Sequence, residues 1–558
     1  MALTSHELDR PTMLSGDSPL KSQCLPFKQI PHTTKLFTDF LSYSPQAQPF
    51  YPRSPRFTEW FQDEASRVNY DSARREQVAG ILERQNKALN ASPKALENIV
   101  RLREGAAAVV TGQQVGLFGG PVFAIYKALT AVKLADQATA AGVECVPVFW
   151  LATHDHDLAE VNHVSIPGSD AVLQTLTTSA HGVPDAPVGT VRFGAEIESV
   201  VEAAAALLDP ETATLLRESY KPGETLGSSY ARFFARLCAD WGVVLLDASD
   251  PEFHQLLAPL FRTAIERSAE LDEALLARGK ELEAAGYHQQ VKVTASSTLL
   301  FALQNGARIP VHRRAGATGE VSEFLIGEEK LSQEDLLRRI ATAPQDFNPN
   351  VLLRPAAQDY LLPTLAYIGG PAEVAYFAQI AVVYQGLAGR VTPILPRFSA
   401  TILDHKHQAL LERYQLALPD IFHGSASLSE HLAARSLSQE VQKSFDQAAS
   451  DLEKSLAGIR ESLGRLDQTL VEAASNAGSK MQHQLEQLRA RAARAELRHS
   501  EVLGRHAELL SNALYPNKTL QEREIAGIYF ISRHGVEFLW TVYDAINPDC
   551  LDHQIISL

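Results

Sequence analysis

The chain has 558 residues, 66 acidic against 51 basic side chains for a net charge of −15, 45% apolar residues and four cysteines. At roughly 150 residues per domain that is three to four units, ample for a buried core. The acidic balance excludes a general nucleic-acid binder, which needs a basic surface, and the globular apolar content excludes a disordered chain. Cys24, Cys145, Cys238 and Cys550 are far apart with no C-x-x-C or zinc-type spacing. Neither a disulfide framework nor a structural zinc is therefore expected, and a reducing cytoplasm is the simplest home. The first residues, MALTSHELDRPTMLSGDSPLKSQ, lack an apolar core and predict no signal peptide.

Residues 105–126 carry no charge over 22 positions, long enough to span a bilayer. Five glycines, a Gln-Gln pair and Pro121 break that run into strand, loop and helix, so no membrane association is expected. The run 106–111 reads as a buried strand, 122–142 as a helix with Pro121 placed as its first residue, and 143–153 as a second buried strand. That is the spacing of a βαβ unit and predicts a parallel sheet. The intervening loop places Gln113, Gln114, Gly116 and Gly119 where backbone N–H groups and a helix N-terminus meet an anion. It matches neither G-x-G-x-x-G nor a Walker loop, so ligand contact and a purely structural turn both stay open. For Lys127, solvated helix lysine is slightly favoured over ligand contact.

After the second strand come His154, Asp155, His156, Asp157, Glu160 and His163, the densest ionisable cluster in the chain. The carboxyl end of a parallel strand is where open α/β sheets place their chemistry. General-base or substrate-binding use, a metal centre and a structural hydrogen-bond network are the readings, and the zinc-hydrolase pattern H-x-H-x-D-H is not met. Residues 164–240 and about 285–345 read as insertions with short strand-like pieces, VGTVRF and TLLFALQNGARIPVHRR. Residues 242–250 predict another core strand and 392–402 one more. Between 351 and 400 only Arg354, Asp359, Glu373, Arg390 and Arg397 are charged, so this segment should be mostly buried. Arg354 and Arg397 are plausible carboxylate or phosphate forks, with structural ion pairing an equal alternative. Gly369-Gly370-Pro371 is placed to open another helix toward the same cleft.

From about 430 to 512 proline vanishes, and apolar residues from Val441 to Ala473 recur at near-heptad spacing, with a second seam from Met481 to Val502. The weak point at Ser475–Gly478 predicts an antiparallel hairpin of two long helices, or else one kinked helix. With 11 basic and 12 acidic residues in 430–510 the arm is nearly neutral, suited to dimerisation or to bracing the core.

The segments TGQQVGLFGGPVFAIYKALTAV, VPVFWLATHDHDLAEVNHV, NVLLRPAAQDYLLPTLAYIGGPAEVAYFAQ, PRFSATIL and LYPNKTLQER together resemble the bacillithiol synthase family, the cysteine-adding enzymes of bacillithiol biosynthesis. The resemblance implies an α/β fold: a Rossmann-like parallel-sheet core with connecting insertions and a long C-terminal α-helical coiled-coil arm used in dimerisation. On the sequence that core comprises 1–163, 241–284 and 346–428, the insertions 164–240 and 285–345, the arm 429–513, and 514–558 returns to the core. The implied reaction joins the carboxyl group of L-cysteine to the amine of glucosaminyl malate in a cytoplasmic homodimer. The implied catalytic set is His154, Asp155, His156, Asp157, Glu160 and His163, with no metal ligand assigned. Substrate binding falls to Gln113, Gln114, Gly116, Gly119, Lys127, Arg354, Gln358, Asp359, Gly370, Glu373 and Arg397. A carboxylate must be activated before it acylates an amine, so ATP or another nucleotide with Mg2+ is the expected cosubstrate. Tyr515, Asn517, Lys518, Gln521 and Arg523 form a nucleotide-type pocket on this view, with capping of the coiled coil as the alternative. Neither H-x-G-H nor K-M-S-K-S is present. A metal-dependent hydrolase built on His154–His163 and a non-catalytic nucleotide-binding scaffold are the competing functions.

Overall fold

Strands that are apolar on both faces need cover on both sides, which is the setting of a parallel sheet. The computed structural model, which describes residues 22–168, 172–180, 182–315, 321–499 and 501–558, has such a sheet at its centre. Strand β1 (Ser22–Leu25) comes first; β2 (Ala107–Gln113), helix α1 (Phe123–Ala140) and β3 (Cys145–Leu151) then form the βαβ unit. β2 and β3 run parallel from Ala107 opposite Cys145 to Gln113 opposite Leu151. The first insertion carries the hairpin β4 (His163–Pro167) and β5 (Leu173–Thr177). Its VGTVRF piece is not a full strand: Val188–Thr190 is a 3-10 turn, and Arg192 makes an isolated antiparallel bridge with Thr225. β6 (Val244–Asp247) returns to the sheet beside β3 and is followed by α2 (Pro251–Glu266).

The second insertion is antiparallel: β7 (Ser297–Gln304), β8 (Ala307–Ala315), β9 (Val321–Ile326), β10 (Glu329–Leu331) and β11 (Phe347–Pro349) lie in the order β10-β9-β8-β7-β11. The chain re-enters the core through α3 (Arg354–Leu361), β12 (Thr364–Gly369), α4 (Pro371–Leu387) and β13 (Ile394–Pro396). The central order is β13-β12-β2-β3-β6, parallel throughout. β12, buried along its whole length, is a strand that the sequence reading left unassigned. The stretch 392–402 is two strands rather than one. β13 belongs to the central sheet, and β14 (Ala400–Leu403) joins a separate sheet with β1 and the last strand.

The arm begins with α5 (Ser425–Ser436), α6 (Gln439–Gly464) and α7 (Thr469–His499), and α8 (Glu501–Leu514) leads back to the core. α6 and α7 form an antiparallel hairpin, but the turn lies at 465–468, where Asp467 accepts from the Thr469 backbone and hydroxyl, both at 2.8 Å. Ser475–Gly478 stays helical inside α7. A Cβ at Gly478 would come within 2.9 Å of Leu456, so the glycine serves close helix packing and not a break. The short helix α9 (Gln521–Glu524) and β15 (His553–Ser557) complete the fold, β15 lying between β1 and β14. Against the expectation of no disulfide, Cys24 and Cys550 are joined, 526 positions apart; tertiary proximity on this scale leaves no trace in spacing. Cys145 and Cys238 are buried and free. Among the described residues no helix is long and apolar enough to cross a membrane.

Candidate active site

The chain moves from β2 to β3 on one side and reaches β12 on the other, so strand order reverses between β2 and β12. Open α/β sheets bind ligands beyond the carboxyl ends of their strands at such a switch point. A cavity of about 310 Å3 lies there. Its charged lining comprises Lys127, Arg308, Arg354, Arg397 and Arg523 against Asp155, Glu160 and Glu373. Five cations face three carboxylates in a chain whose net charge is −15.

Lys127, one turn into α1, is 3% exposed, so the solvated reading fails. Its Nζ meets Glu373 Oε2 at 2.5 Å and donates to Gly112 O at 2.8 Å and Gln113 Oε1 at 3.0 Å. Burial pulls the Lys127 pKa down, against the opposing charge of Glu373. Glu373 accepts from Tyr367 Oη (2.6 Å) and Gly370 N (2.7 Å). Burial alone would raise its pKa, but Lys127 and these donors hold it below the usual range. Pro371 does open α4 at the cleft, as read from Gly369-Gly370-Pro371. Arg354 donates to Gln358 Oε1 and Tyr376 Oη and lies over the Tyr367 ring. Asp359 and Gln358 sit behind it, Asp359 bonded to Thr392 and Gln358, and burial raises the Asp359 pKa. The Phe123 ring gathers three cations, Arg397 at 5.1 Å and Lys127 and Arg523 at 6.0 Å from its centroid.

On the opposite wall, Gln114 Nε2 donates to Asp155 Oδ2 (2.6 Å) and Glu160 Oε2 (3.0 Å), holding the two carboxylates together. His154 lies at the wall with its ring centroid 5.0 Å from that of His254 on α2. Burial, then His254 and Arg308, hold its pKa well below the ordinary histidine value, so the ring is neutral. Arg308, from β8 of the second insertion, stacks over Phe301 and donates to Pro349 O at 2.9 Å; burial lowers its pKa to about 10. His156 is exposed at the rim, 3.5 Å from both Asp155 and Arg308. Asp157 is the N-cap of a one-turn helix, accepting from Glu160 N. His163, also exposed, bonds Ala159 O.

Gly116, Gly119 and His163 line an adjoining cavity of about 220 Å3 that shares Gln113, Gln114, Phe123, Glu160 and Arg523 with the first. Within the loop the amides of Gly116, Gly119 and Gly120 bond to loop carbonyls, so these three do not face the cavity as anion donors. Val122 N, at the N-cap of α1, donates to Ile525 O, and the helix starts at Phe123, so Pro121 precedes it instead of opening it. Gly119 has φ +87, and a Cβ there would fall 2.5 Å from Phe233, so only glycine fits. Of the five residues read as a nucleotide pocket, only Arg523 reaches the cavity. Gln521 bonds Ile402 N and O and Ala513 O, Asn517 bonds Glu524, and Tyr515 packs on Phe422. Lys518 lines neither cavity. The segment therefore does not fit a nucleotide as a set. Among the described residues, no three His, Cys, Asp or Glu side chains converge as metal ligands, and the hydrolase reading lacks its donor set. Sequence reasoning missed Phe123, Tyr367, Tyr376, His254 and Arg308. The only local sign of Arg308 is its place just after the Asn305-Gly306 turn, which does not show that the hairpin folds over the core.

Residues 20–398 match the family model described as the N-terminal Rossmann-like domain of BshC of bacillithiol biosynthesis, and 400–558 its C-terminal coiled-coil domain. A relative from Koribacter versatilis, named "Putative cysteine ligase BshC", is 50% identical over 536 residues, covering 96% of this chain and 99% of its own. Namesakes from Solibacter usitatus and Salinibacter ruber are 37% and 32% identical, covering 96% and 94% of this chain and 99% and 96% of their own. With both halves of the fold and nearly the whole length matched, this chain belongs to the BshC family, the ligases of bacillithiol biosynthesis.

Proposed function

We propose that the cavity binds glucosaminyl malate and joins its amine to the carboxyl group of L-cysteine. The observation that carries this is the charge of the site: five cations converge in a chain of net charge −15, as a dicarboxylate ligand requires. The relatives' printed name supports cysteine as the second substrate.

Arg354, Arg397 and Arg308 take the malate carboxylates, because guanidinium groups meet carboxylates with paired N–H donors. Asp155 and Glu160, clamped by Gln114, take an ammonium group. The cysteine carboxyl must carry a leaving group before attack, and ATP or another nucleotide with Mg2+ is the proposed source. As the amine nitrogen bonds to the activated carbonyl carbon, the leaving group departs with its electron pair and the amine sheds a proton. The neutral ring of His154 accepts it.

The test is ligation of cysteine and glucosaminyl malate across a panel of nucleotides, with the product weighed by mass spectrometry and glucosaminyl malate binding followed by calorimetry. Binding that survives Arg354→Ala unchanged would remove this reading. Deletion in the source organism should remove its low-molecular-weight thiol and accumulate glucosaminyl malate.

The same proposal includes a cytoplasmic homodimer joined through the arm, supported by exposed apolar residues there: Leu466 (77%), Leu488, Met481 and Ile459. Leu463→Asp with Leu466→Asp should give a monomer by light scattering; an unchanged dimer places the interface elsewhere.

A further inference from the structure

We infer that Glu522 is a positioning residue for Arg397, so that the C-terminal segment sets the substrate-binding guanidinium from behind the cavity. The inference rests on the proposed reading of Arg397 as a carboxylate-binding group and adds what orients it.

Arg397 leaves the carboxyl end of β13, and its backbone N bonds Gly369 O. Its side chain is 5% exposed and that of Glu522 1%, an ion pair taken almost wholly out of water. Nη2 donates to Glu522 Oε1 at 2.6 Å and Nη1 to Phe398 O at 2.8 Å. Two of the five N–H groups are thereby fixed and the guanidinium plane is set, with Nε toward Gly370 and a face over Phe123. An unpaired cation buried this deeply would be costly, and a swinging one would bind a carboxylate without fixed direction.

Glu522 is itself held. Ala400 N donates to Oε2, and the Ser399 hydroxyl is 2.9 Å from both oxygens. Ser399 has one hydrogen and gives it to Glu522, so at His553 Nδ1, 2.7 Å away, it must accept. His553 is then the Nδ1–H tautomer, and its Nε2, 2.8 Å from Thr401, accepts the Thr401 hydroxyl proton. The donors thus run one way, from Thr401 through His553 and Ser399 to Glu522, which receives Arg397 from the other side. Each link comes from β14, β15 or α9, or the turn leading into β14, and none lines the cavity; Glu522 reaches it by its hydrogen bond to Arg397 and, by charge alone, at its neighbour Arg523.

In Glu522→Gln, an amide donor or a neutral oxygen replaces the carboxylate facing Nη2. Glucosaminyl malate affinity by calorimetry should fall about ten- to hundredfold, with the KM for cysteine unchanged. Glu522→Asp should recover part of the loss. In a double-mutant cycle, adding Glu522→Gln to Arg397→Ala should cost nothing further, because the effect passes through Arg397. Wild-type affinity in Glu522→Gln, or additive losses in the cycle, overturns the inference while leaving the proposed function intact. Wild-type protein that does not bind glucosaminyl malate, or Arg397→Ala that binds it normally, overturns the underlying reading instead. Should Glu522→Gln fail to fold, Ser399→Ala decides, since it keeps the ion pair but frees one carboxylate contact. A loss of about threefold supports the inference and an unchanged affinity overturns it.

Discussion

The cavity and the arm both carry many charges, and they use them in opposite ways. In the arm, pairs such as Glu461 with Arg465 sit in water on helix faces, where attraction is screened and ordering two long side chains offsets most of it. In the cavity Lys127 with Glu373 and Arg397 with Glu522 are buried, so desolvation is severe and every partner counts. Charge in the arm keeps helices soluble around an apolar seam. Charge in the cavity is tolerated only because it is paired, oriented and free to meet a ligand.

The largest expected effect follows from breaking a cavity pair. Glu373→Ala should lose about 3–5 kcal/mol of stability in a urea titration, because Lys127 is left buried and unpaired. A loss under 1 kcal/mol would put this pair in the same class as those of the arm. His154→Gln should lower kcat by about 10²- to 10⁴-fold with the fold intact, whereas His156→Ala at the rim should change it only severalfold. Equal losses from both would spread the chemistry over the whole cluster.

The third expectation concerns pH. Burial, with a further contribution from Arg397 and against the attraction of Glu522, lowers the His553 pKa to about 4. Between about 6.5 and 4 the unfolded chain binds a proton there that the folded chain does not, so stability rises with pH across this window and is lost as pH falls through it. At or below pH 4 the loss is on the order of 3 kcal/mol, and His553→Gln should remove one proton from the slope of unfolding free energy against pH. An unchanged slope would place the linkage on other groups. The smallest effect should be that of Glu461→Ala in the arm, within about 0.5 kcal/mol by thermal unfolding. A larger loss there would erase the contrast between the two regions.

Legibility in the sequence followed the range of the interaction. The strand, loop and helix at 107–140 and the seams of the arm were readable because periodicity and glycine placement act over a few residues. The turn of the arm was misplaced by about ten positions, since Ser475–Gly478 looks like a helix breaker until Leu456 is seen to need that space. Within the cluster after β3, His154, Asp155 and Glu160 reach the cavity while His156 and Asp157 do not, a difference that alternating directions of a loop decide and composition does not record.

What the sequence by itself determined was the parallel core, the helical arm, the family, and which short segments hold the chemistry, because each rests on local pattern or on several motifs in order. Only the tertiary structure decided which cations share the cavity. It brought Arg523 from beyond the arm and Arg397 from the edge of the sheet to one phenylalanine of α1, and Arg308 from an inserted hairpin to the same cavity. It also paired Arg397 with Glu522 across 125 positions, and Cys24 with Cys550 across almost the whole chain. The physical reason is that burial and pairing of charge are properties of three-dimensional neighbours, and a single sequence specifies those neighbours only through the fold.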